Sequence, residues 1–497
     1  MNRIVLLIAF TVLALATLWH FFNSDPNRPT PSAEADVPAF IGRAAAARPV
    51  AEAFSQPVQQ HPFLARAGVN SMHNDSGQRD HYYWAGPLGR DMRVQSRQFH
   101  RLAGSCVAQS FTSSGHMVGT CVSPFGVSLV ARDPASLDVL ARREITRWLP
   151  IGQKFSGGVY FHLDHRDRVL LATNGPEIQL WALVGEEGDF SWELDNVIAI
   201  ADLLDSARPE QHQVIDVMPD WQGNYWFITR GGLVGVVAPD GTGGAAIALG
   251  GAEAEGIDNA LAVGEHGVFV VSDHAMYRFR RGARGAVRLQ WRTAYDRGSA
   301  AKPGTMGFGS GTTPTLVGND YVAITDNADG RVNVMVYGQQ DGRVVCKTPV
   351  FPSGRGASEN SMAVVGRGLI VENNYGYSGP RNIPRSEPGL ARVDIRADGT
   401  GCDLAWENLD IASPSAVPKV SLATGLVYVY TRDESNPDDL HAWYFTAVDV
   451  RTGEVVFKQL TGVGWLFNNH YGSISIAPDG TAYVGMMGGL VSLRDGP

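Results

Sequence analysis

The sequence predicts an all-β protein folded as a single β-propeller, and three observations support this fold class. The 497 residues include 57 Gly but only 18% charged residues, a composition that suits short strands and tight turns. A turn that pairs Gly or Asp with a polar residue recurs eight times, at intervals of 44 to 57 residues. Each turn precedes a short apolar run, such as "MVGTCV", "VFVVSD" or "LVYVYT". Regular recurrence of this kind indicates a repeat architecture.

Each recurring turn lies inside a unit of four short strands. The seventh unit is the clearest and reads "AVPKVSLATG", "LVYVYTRDE", "WYFTAVDVRTG" and "EVVFKQL". Four strands about every fifty residues are typical of propeller blades, whereas a sandwich array does not explain the grouping in fours. We expect eight blades, with seven as the alternative. The eighth unit (Gly472–Arg494) has only three strands, so we expect Met92–His100 to add the fourth and close the ring.

The chain before the propeller divides into three parts: a membrane anchor at residues 1–23, a Pro/Ala/Ser-rich linker at 24–60, and a capping segment with the ring-closing strand at 61–100. The propeller follows at 101–497. The uncharged run Ile4–Phe22 is long enough to span a bilayer, and its last four residues resemble an interfacial aromatic belt. A signal peptide cleaved after Ala14-Leu15-Ala16 is the alternative. Either reading, with Arg3 on the short side, predicts a single-pass or exported protein whose C-terminal domain is periplasmic or extracellular.

The four cysteines agree with export. Cys106 and Cys121 flank Gly115 almost symmetrically, so a hairpin at that glycine would bring them together as a disulfide. Cys346 and Cys402 each follow an Asp-Gly turn, and the sequence leaves open whether they form a bridge or remain thiols.

One repeat resembles a known family. "FTAVDVRTGEVVF" (Phe445–Phe457) is similar to the repeat of quinoprotein-type propellers, in which a strand meets a Thr-Gly turn and the next strand. The resemblance implies the fold. Phe457 stands where that family has Trp, and the sequence has no adjacent cysteine pair, so the quinone cofactor PQQ is not supported by the resemblance.

The charge excludes one class of partner. A formal net charge of −9 and a pI near 5.8 argue against a general nucleic-acid binder, which needs a basic face. The partners that we expect are the membrane, through the N-terminal helix, and a small polar ligand. The sequence identifies no protein partner.

Polar residues gather where first strands begin and second strands end, and propeller topology places both positions at one mouth of the central channel. Carboxylate oxygens from separate blades suit Ca²⁺, which takes six to eight oxygen ligands. The predicted metal ligands are Glu255, Asp258, Asp326, Glu359 and Glu372. The predicted contacts to a polar ligand are Asn259, Asn327, Asn360, Asn373, Asn374, Asn469, Arg432, Lys419 and His73. In residue types this face is similar to the calcium face of six-bladed lactonase and arylesterase propellers.

Each of these residues also has a structural interpretation. Asp and Asn tolerate left-handed turns and accept local hydrogen bonds, so they accumulate at strand tips without any ligand. Lys419 either pairs with a rim carboxylate or acts on a substrate anion. Ser71–Gly89 either packs across the propeller or forms a plug that brings His73 or Asp75 to the channel mouth.

If the protein is an enzyme, we expect metal-assisted hydrolysis, in which His470, Glu372 or Asp273 would activate water beside the cation. The alternatives are a quinone-dependent oxidoreductase, which the repeat suggests, and a non-enzymatic scaffold of the cell envelope.

Overall fold

The computed structural model describes residues 28–51, 58–100, 104–147, 160–173, 175–204, 213–251, 253–305, 307–379, 386–433 and 441–497. The predicted membrane-spanning run Ile4–Phe22 lies outside these ranges. Within them, we find no helix with the length and apolar character that a bilayer crossing needs.

Eight sheets follow one another along the described chain, and each contains one antiparallel blade. Three strands precede the first blade: β1 (Phe40–Gly42), β2 (His81–Tyr82) and β3 (Arg93–Gln98). Blade 1 contains β4 (Ser105–Phe111), β5 (Met117–Ser123), β6 (Gly126–Arg132) and β7 (Val139–Arg147). Blade 2 contains β8 (Phe161–Leu163), β9 (Val169–Ala172), β10 (Glu177–Val184) and β11 (Ser191–Ala199). Blade 3 contains β12 (Val214–Pro219), β13 (Tyr225–Thr229), β14 (Leu233–Val237) and β15 (Ala245–Ala248). Blade 4 contains β16 (Ala262–Gly264), β17 (Gly267–Val271), β18 (Ala275–Arg281) and β19 (Val287–Ala294).

The second half of the ring repeats the pattern. Blade 5 contains β20 (Thr315–Val317), β21 (Tyr321–Thr325), β22 (Val332–Gly338) and β23 (Val344–Val350). Blade 6 contains β24 (Ala363–Val365), β25 (Gly368–Glu372), β26 (Leu390–Ile395) and β27 (Cys402–Asn408). Blade 7 contains β28 (Lys419–Ser421), β29 (Leu426–Asp433), β30 (Ala442–Asp449) and β31 (Val455–Val463). Blade 8 contains β32 (Ile474–Ile476), β33 (Ala482–Met486) and β34 (Gly489–Arg494). The helices of the described chain are single 3-10 turns at Ala201–Leu203, Ala283–Gly285 and Trp465–Phe467.

The predicted ring closure is confirmed. Strand β3 pairs antiparallel with β34, from Arg93 opposite Arg494 to Gln98 opposite Gly489. It therefore supplies the fourth strand of blade 8, and the eight-blade prediction holds. Blade 7 gains two further strands, because β1 pairs with its outer strand β31 and β2 runs parallel to its inner strand β28.

The core lies between the blades, because alternate residues of each strand face opposite neighbours. In β29, Tyr428 and Tyr430 pack with residues of blade 8, while Val427 and Val429 pack with residues of blade 6. Phe457, at the position where the family repeat has Trp, is fully buried and stacks with Phe40 of β1 at a ring-centroid distance of 5.8 Å. An aromatic ring thus occupies the position of the family's Trp, and Phe40 of the added strand β1 packs against it.

Both cysteine pairs form disulfides. Cys106 and Cys121 are bonded across the β4–β5 hairpin, which confirms the predicted pair. Cys346 and Cys402 are also bonded, and they join the outer strands of blades 5 and 6. The described chain has no free cysteine.

The region predicted as a linker packs against the propeller over residues 28–51. Its backbone hydrogen-bonds blade 7 at Val463, Thr424 and Leu422. The bond to Val463 and the pairing of β1 cover the outer edge of β31, which would otherwise present unpaired backbone groups.

The channel is filled by residues 68–82, which we call the channel segment. Every residue in this range is buried. The first strands of blades 4, 5, 6 and 7 each donate a backbone hydrogen bond to it, at Ser76, Gly77, Arg79 and Asp80. The segment is polar and still buried because these inner strands complete its hydrogen bonds. It is therefore a plug, which was the sharper of the two sequence interpretations.

Candidate functional site

A cavity of about 470 Å³ lies at the channel mouth where first strands begin and second strands end. We call it the mouth cavity. All eight blades contribute to its wall, in chain order through Ser123, Tyr160, Arg230, Asp258, Thr313, Glu359, Val417 and His470. Met72 and His73 of the channel segment also line it. The convergence expected from propeller topology is thus present in the structure.

Six of the predicted site residues line the mouth cavity: His73, Asp258, Asn259, Glu359, Asn360 and His470. Much of the remaining wall is apolar, including Met72, Val107, Ile215 and Val417. The polar groups are therefore set into a largely hydrophobic wall, as in most small-molecule sites.

A buried charge cluster underlies the cavity. Lys419 is fully buried and donates to Asp80, to Asn74 Oδ1 at 2.9 Å and to the Met72 carbonyl at 2.5 Å. Of the two interpretations for Lys419, the structure therefore shows pairing with a carboxylate, but the partner is Asp80 of the channel segment and not a rim residue. Burial raises the pKa of Asp80, but His73 and Lys419 outweigh it, so the net pKa shift is downward and the carboxylate stays charged.

His73 connects this cluster to the cavity. Its Nδ1 lies 3.1 Å from both Asp80 oxygens and 2.7 Å from Ser361 Oγ. Its Nε2 is buried and has no hydrogen-bond partner within the described chain, although the residue lines the cavity. Since Nδ1 faces Asp80, the carboxylate favours the tautomer with a proton on Nδ1 and an acceptor lone pair on Nε2.

Two charged side chains of the wall, one from blade 3 and one from blade 4, form an ion pair. Arg230 Nη1 donates to Asp258 Oδ1, and both side chains are about one third exposed. Asn259, next in the chain, is buried and donates to the Ser310 carbonyl at 3.5 Å. The predicted metal ligand Asp258 thus has a guanidinium as its neighbour.

Glu372 does not line the cavity but supports its wall. The carboxylate is buried and accepts hydrogen bonds from Asn360, from Asn374 Nδ2 at 2.9 Å and from Ser413 Oγ at 2.9 Å. Burial raises the pKa of Glu372 to about 8, although these three donors act in the opposite direction. Glu372 therefore has a structural role, since its hydrogen bonds connect blade 6 with the chain that enters blade 7.

The two asparagines after Glu372 hold the neighbouring loop. Asn373 Oδ1 accepts from the Ala357 amide at 3.1 Å, and its Nδ2 donates to the Arg355 carbonyl at 2.8 Å. Asn374 Oδ1 accepts from the Glu359 amide at 2.6 Å. Together they fix the chain that presents Glu359, Asn360 and Ser361 to the cavity.

His470 lies at the edge of the cavity beside two tyrosines. Its Nδ1 is 2.9 Å from Tyr377 Oη, and burial lowers its pKa to about 4. His470 and Tyr471 have φ values of 40° and 61°, a conformation that costs energy for side chains of this kind. Tyr471 Oη reaches across to the Gly304 carbonyl at 3.2 Å, and Asn469 accepts from Ser415 Oγ at 3.0 Å.

The other predicted site residues lie away from the cavity wall, each with local partners. Asp273 accepts from His274 and Arg297, and Glu255 accepts from Ser272, Tyr277 and Arg292. Asp326 accepts from Asn333, and Asn327 donates to the Arg297 carbonyl. Arg432 is buried in blade 7, where its backbone amide donates to Ala412.

These pairings bear on the predicted cation site. Burial raises the pKa of Asp326, whereas hydrogen bonds from Ser272, Tyr277 and Arg292 outweigh burial and lower the pKa of Glu255. The two carboxylates have different hydrogen-bond partners and lie in different blades, so they do not share one site. Among the described residues, no group of three His, Cys, Asp or Glu side chains is arranged to hold a metal ion.

The sequence prediction omitted several wall residues. Tyr160, Ser361 and Tyr471 line the cavity but were not among the predicted contacts. Ser361 and Tyr471 directly follow Asn360 and His470, so extending each polar tip by one residue would have found them. Tyr160 precedes a strand without a polar neighbour that could mark it.

No protein-family model matches the chain. A protein of Archaeoglobus fulgidus, itself uncharacterized, is 28% identical over 319 residues, which cover 56% of this chain and 61% of that protein. The chain thus spans less than two thirds of that relative.

Solved structures show a likeness of fold alone. BamB from Moraxella catarrhalis is 13% identical with a TM-score of 0.38, over 66% of this chain and 93% of that chain. The dihydro-heme d1 dehydrogenase NirN, in complex with DHE, is 11% identical with a TM-score of 0.38, over 68% and 72%. The eight four-stranded blades confirm the fold that the resemblance to quinoprotein-type propellers implied.

Proposed function

We propose that this protein binds a small organic molecule in the mouth cavity. The observation that carries the proposal is the contribution of all eight blades and the channel segment to one cavity of about 470 Å³. This volume lies within the usual range for small-molecule sites, roughly 300 to 1,000 Å³. A ligand held here contacts every blade of the ring.

The wall indicates the character of the ligand. Apolar residues such as Val107 and Ile215 suit a hydrophobic body, and Asn360, Ser361 and the Arg230–Asp258 pair suit a few polar groups. An organic ligand fits this wall better than a bare Ca²⁺ ion, because the predicted carboxylate ligands are occupied by their own partners.

We also propose that the binding domain is exported and tethered by Ile4–Phe22. The two disulfides support this location, since such bonds persist in oxidising compartments.

Filling the cavity tests the binding proposal. Val107 lines the mouth cavity, whereas Val197 is 42% exposed on the outer strand of blade 2. We expect fluorinated fragments that bind the wild-type protein, detected by fluorine NMR, to bind Val197→Trp equally and Val107→Trp weakly or not at all. Equal binding by both variants would place the ligand elsewhere.

The orphaned Nε2 of His73 favours a second candidate function, the hydrolysis of an ester or lactone. His73 Nε2 would take a proton from water while the water oxygen bonds to the substrate carbonyl carbon. The ring C–O or ester C–O bond then breaks, and the departing alkoxide receives that proton. Asp80 would orient the imidazole and stabilise its charged form.

Turnover of p-nitrophenyl butyrate tests this candidate. His73→Gln should abolish turnover but keep fragment binding in the cavity, while His165→Gln, at an exposed hairpin tip, should leave both unchanged. Turnover that survives His73→Gln would exclude His73 as the base.

A further inference from the structure

The β18–β19 hairpin of blade 4 concentrates positive charge on a protein that is otherwise acidic. Arg280, Arg281, Arg284 and Arg288 are all exposed, and none forms an ion pair within the described part of the chain. By contrast, Arg292 at the far end of β19 pairs with Glu255 at 2.9 Å. The formal net charge of −9 makes four uncompensated arginines in nine residues a local exception.

The strand register brings two of these charges together. Arg280 of β18 lies directly opposite Arg288 of β19. Like charges at opposed positions of an antiparallel pair destabilise the pair. The pKa of Arg278 is lowered by burial and, in addition, by the positive charge of Arg280. An anion between Arg280 and Arg288 would relieve this repulsion.

A cavity of about 500 Å³ lies beside the hairpin, between blades 3 and 4. Arg280, Arg281 and Arg288 line it together with Trp221. The indole Nε1 of Trp221 is buried and has no hydrogen-bond partner within the described chain. We call this cavity the blade 4 groove.

Two carboxylates also line the blade 4 groove. Asp220 is committed to its own turn, since it accepts from the Asn224 amide and from Trp226 Nε1, each at 2.9 Å. Glu265 has a buried Oε1 without a partner, and it forms no ion pair with the hairpin arginines. Glu265 therefore reduces the positive potential of the groove, although it forms no close ion pair with the arginines.

We propose that the blade 4 groove binds a phosphate group carried by a soluble phosphate ester or by a lipid headgroup. Three guanidinium groups offer more donors than the two oxygens of a carboxylate can accept. A phosphate monoester has three non-bridging acceptor oxygens, and a phosphodiester headgroup has two non-bridging and two bridging oxygens, so either offers more acceptor sites than a carboxylate. The site is separate from the mouth cavity, so the proposal is independent of the function proposed above.

Calorimetry on the full chain with glycerol 3-phosphate, and sedimentation with phosphatidylglycerol vesicles against phosphatidylcholine vesicles, test the proposal. We expect Arg280→Gln/Arg288→Gln to weaken binding at least about tenfold, because two charge-assisted hydrogen-bonding groups are lost. Glu265→Gln should strengthen binding, since it removes the opposing charge. Arg43→Gln/Arg93→Gln is the matched control, because it removes two exposed arginines elsewhere.

If glycerol 3-phosphate binds, a soluble phosphate ester is sufficient to occupy the groove. If phosphatidylglycerol vesicles bind and glycerol 3-phosphate does not, the ligand is a lipid headgroup. Either result supports the proposal if the hairpin variant is weaker than the control variant. The proposal is overturned if neither probe binds, or if the two double variants bind equally.

Discussion

Glu372 and Asn374, two residues apart at the end of a buried strand, are hydrogen-bonded to each other, with Asn374 Nδ2 2.9 Å from Glu372 Oε1. The Oδ1 atom of the same asparagine accepts a hydrogen bond from the backbone amide of Glu359 at 2.6 Å. The tip of β25 resembles a ligand site in its residue types. Its hydrogen bonds instead hold in place the neighbouring residues that face the cavity.

The first prediction concerns the charge of Glu372. Its folded-state pKa of about 8 exceeds its ordinary value of 4.5, so the folded protein holds a proton that the unfolded chain releases. This contribution to stability is complete below about pH 4.5 and is lost as the pH rises through about 8. The loss is at most about 1.4 kcal/mol per pH unit in this window.

Glu372→Gln should remove this pH dependence. The amide keeps an oxygen for Asn360 and Asn374, and Ser413 can accept from the new NH₂ group. We expect urea unfolding between pH 5 and 8 to show a variant that gains stability relative to the wild-type protein as the pH rises. Glu454→Gln, at an exposed turn, should follow the wild-type curve. Parallel curves for wild-type and Glu372→Gln would show that Glu372 is already ionised at pH 5.

The second prediction concerns Asn374. Asn374→Ala removes partners from Glu372 and from the Glu359 amide, both of which are buried. We expect a loss of about 2 kcal/mol in the free energy of unfolding, the usual cost of an orphaned buried polar group. Fragment affinity for the mouth cavity should also fall, because the Glu359–Ser361 wall loosens.

Asn196→Ala is the control for this change, since Asn196 is exposed on β11. It should alter the unfolding free energy by less than about 0.5 kcal/mol. If Asn374→Ala destabilises the protein and leaves fragment affinity intact, Asn374 supports the fold without shaping the cavity.

The third prediction concerns Lys419 and Asp80. Lys419→Met leaves the Asp80 carboxylate buried without its cation, so we expect a loss of about 3 to 5 kcal/mol in urea unfolding. Lys419→Met/Asp80→Asn should recover part of that loss, because the uncompensated charge is gone. A double variant as unstable as the sum of its single changes would mean that the two residues are energetically independent.

The architecture and the position of the cavity could be predicted from sequence, because propeller topology assigns each strand start and strand end to a rim. Asn360 and His470 were placed correctly by that rule alone. The role of Glu372 could not be predicted in this way, since asparagine and carboxylate side chains serve turns and ligands with the same groups.

The sequence left burial of the channel segment as one of two alternatives and could not decide between them. The segment is polar and rich in turn residues, which ordinarily indicates a surface loop. Its burial depends on partners distant in sequence, such as Lys419 for Asp80, separated by 339 residues. Local composition carries no information about such a pair, and the ring must close before its members meet.

The last prediction concerns His470, which sequence reasoning assigned to water activation. Burial lowers its pKa from 6.5 to about 4, so the folded protein holds it neutral where the unfolded chain would take up a proton. The stability of the folded state therefore falls as the pH drops from about 6.5 to about 4. In histidine-labelled protein, the His470 resonance, identified by its absence in His470→Gln, should stay unchanged from pH 8 to pH 5. A titration midpoint near 6.5 would instead mean that solvent reaches the ring, and that the tyrosines beside it do not close this side of the mouth cavity.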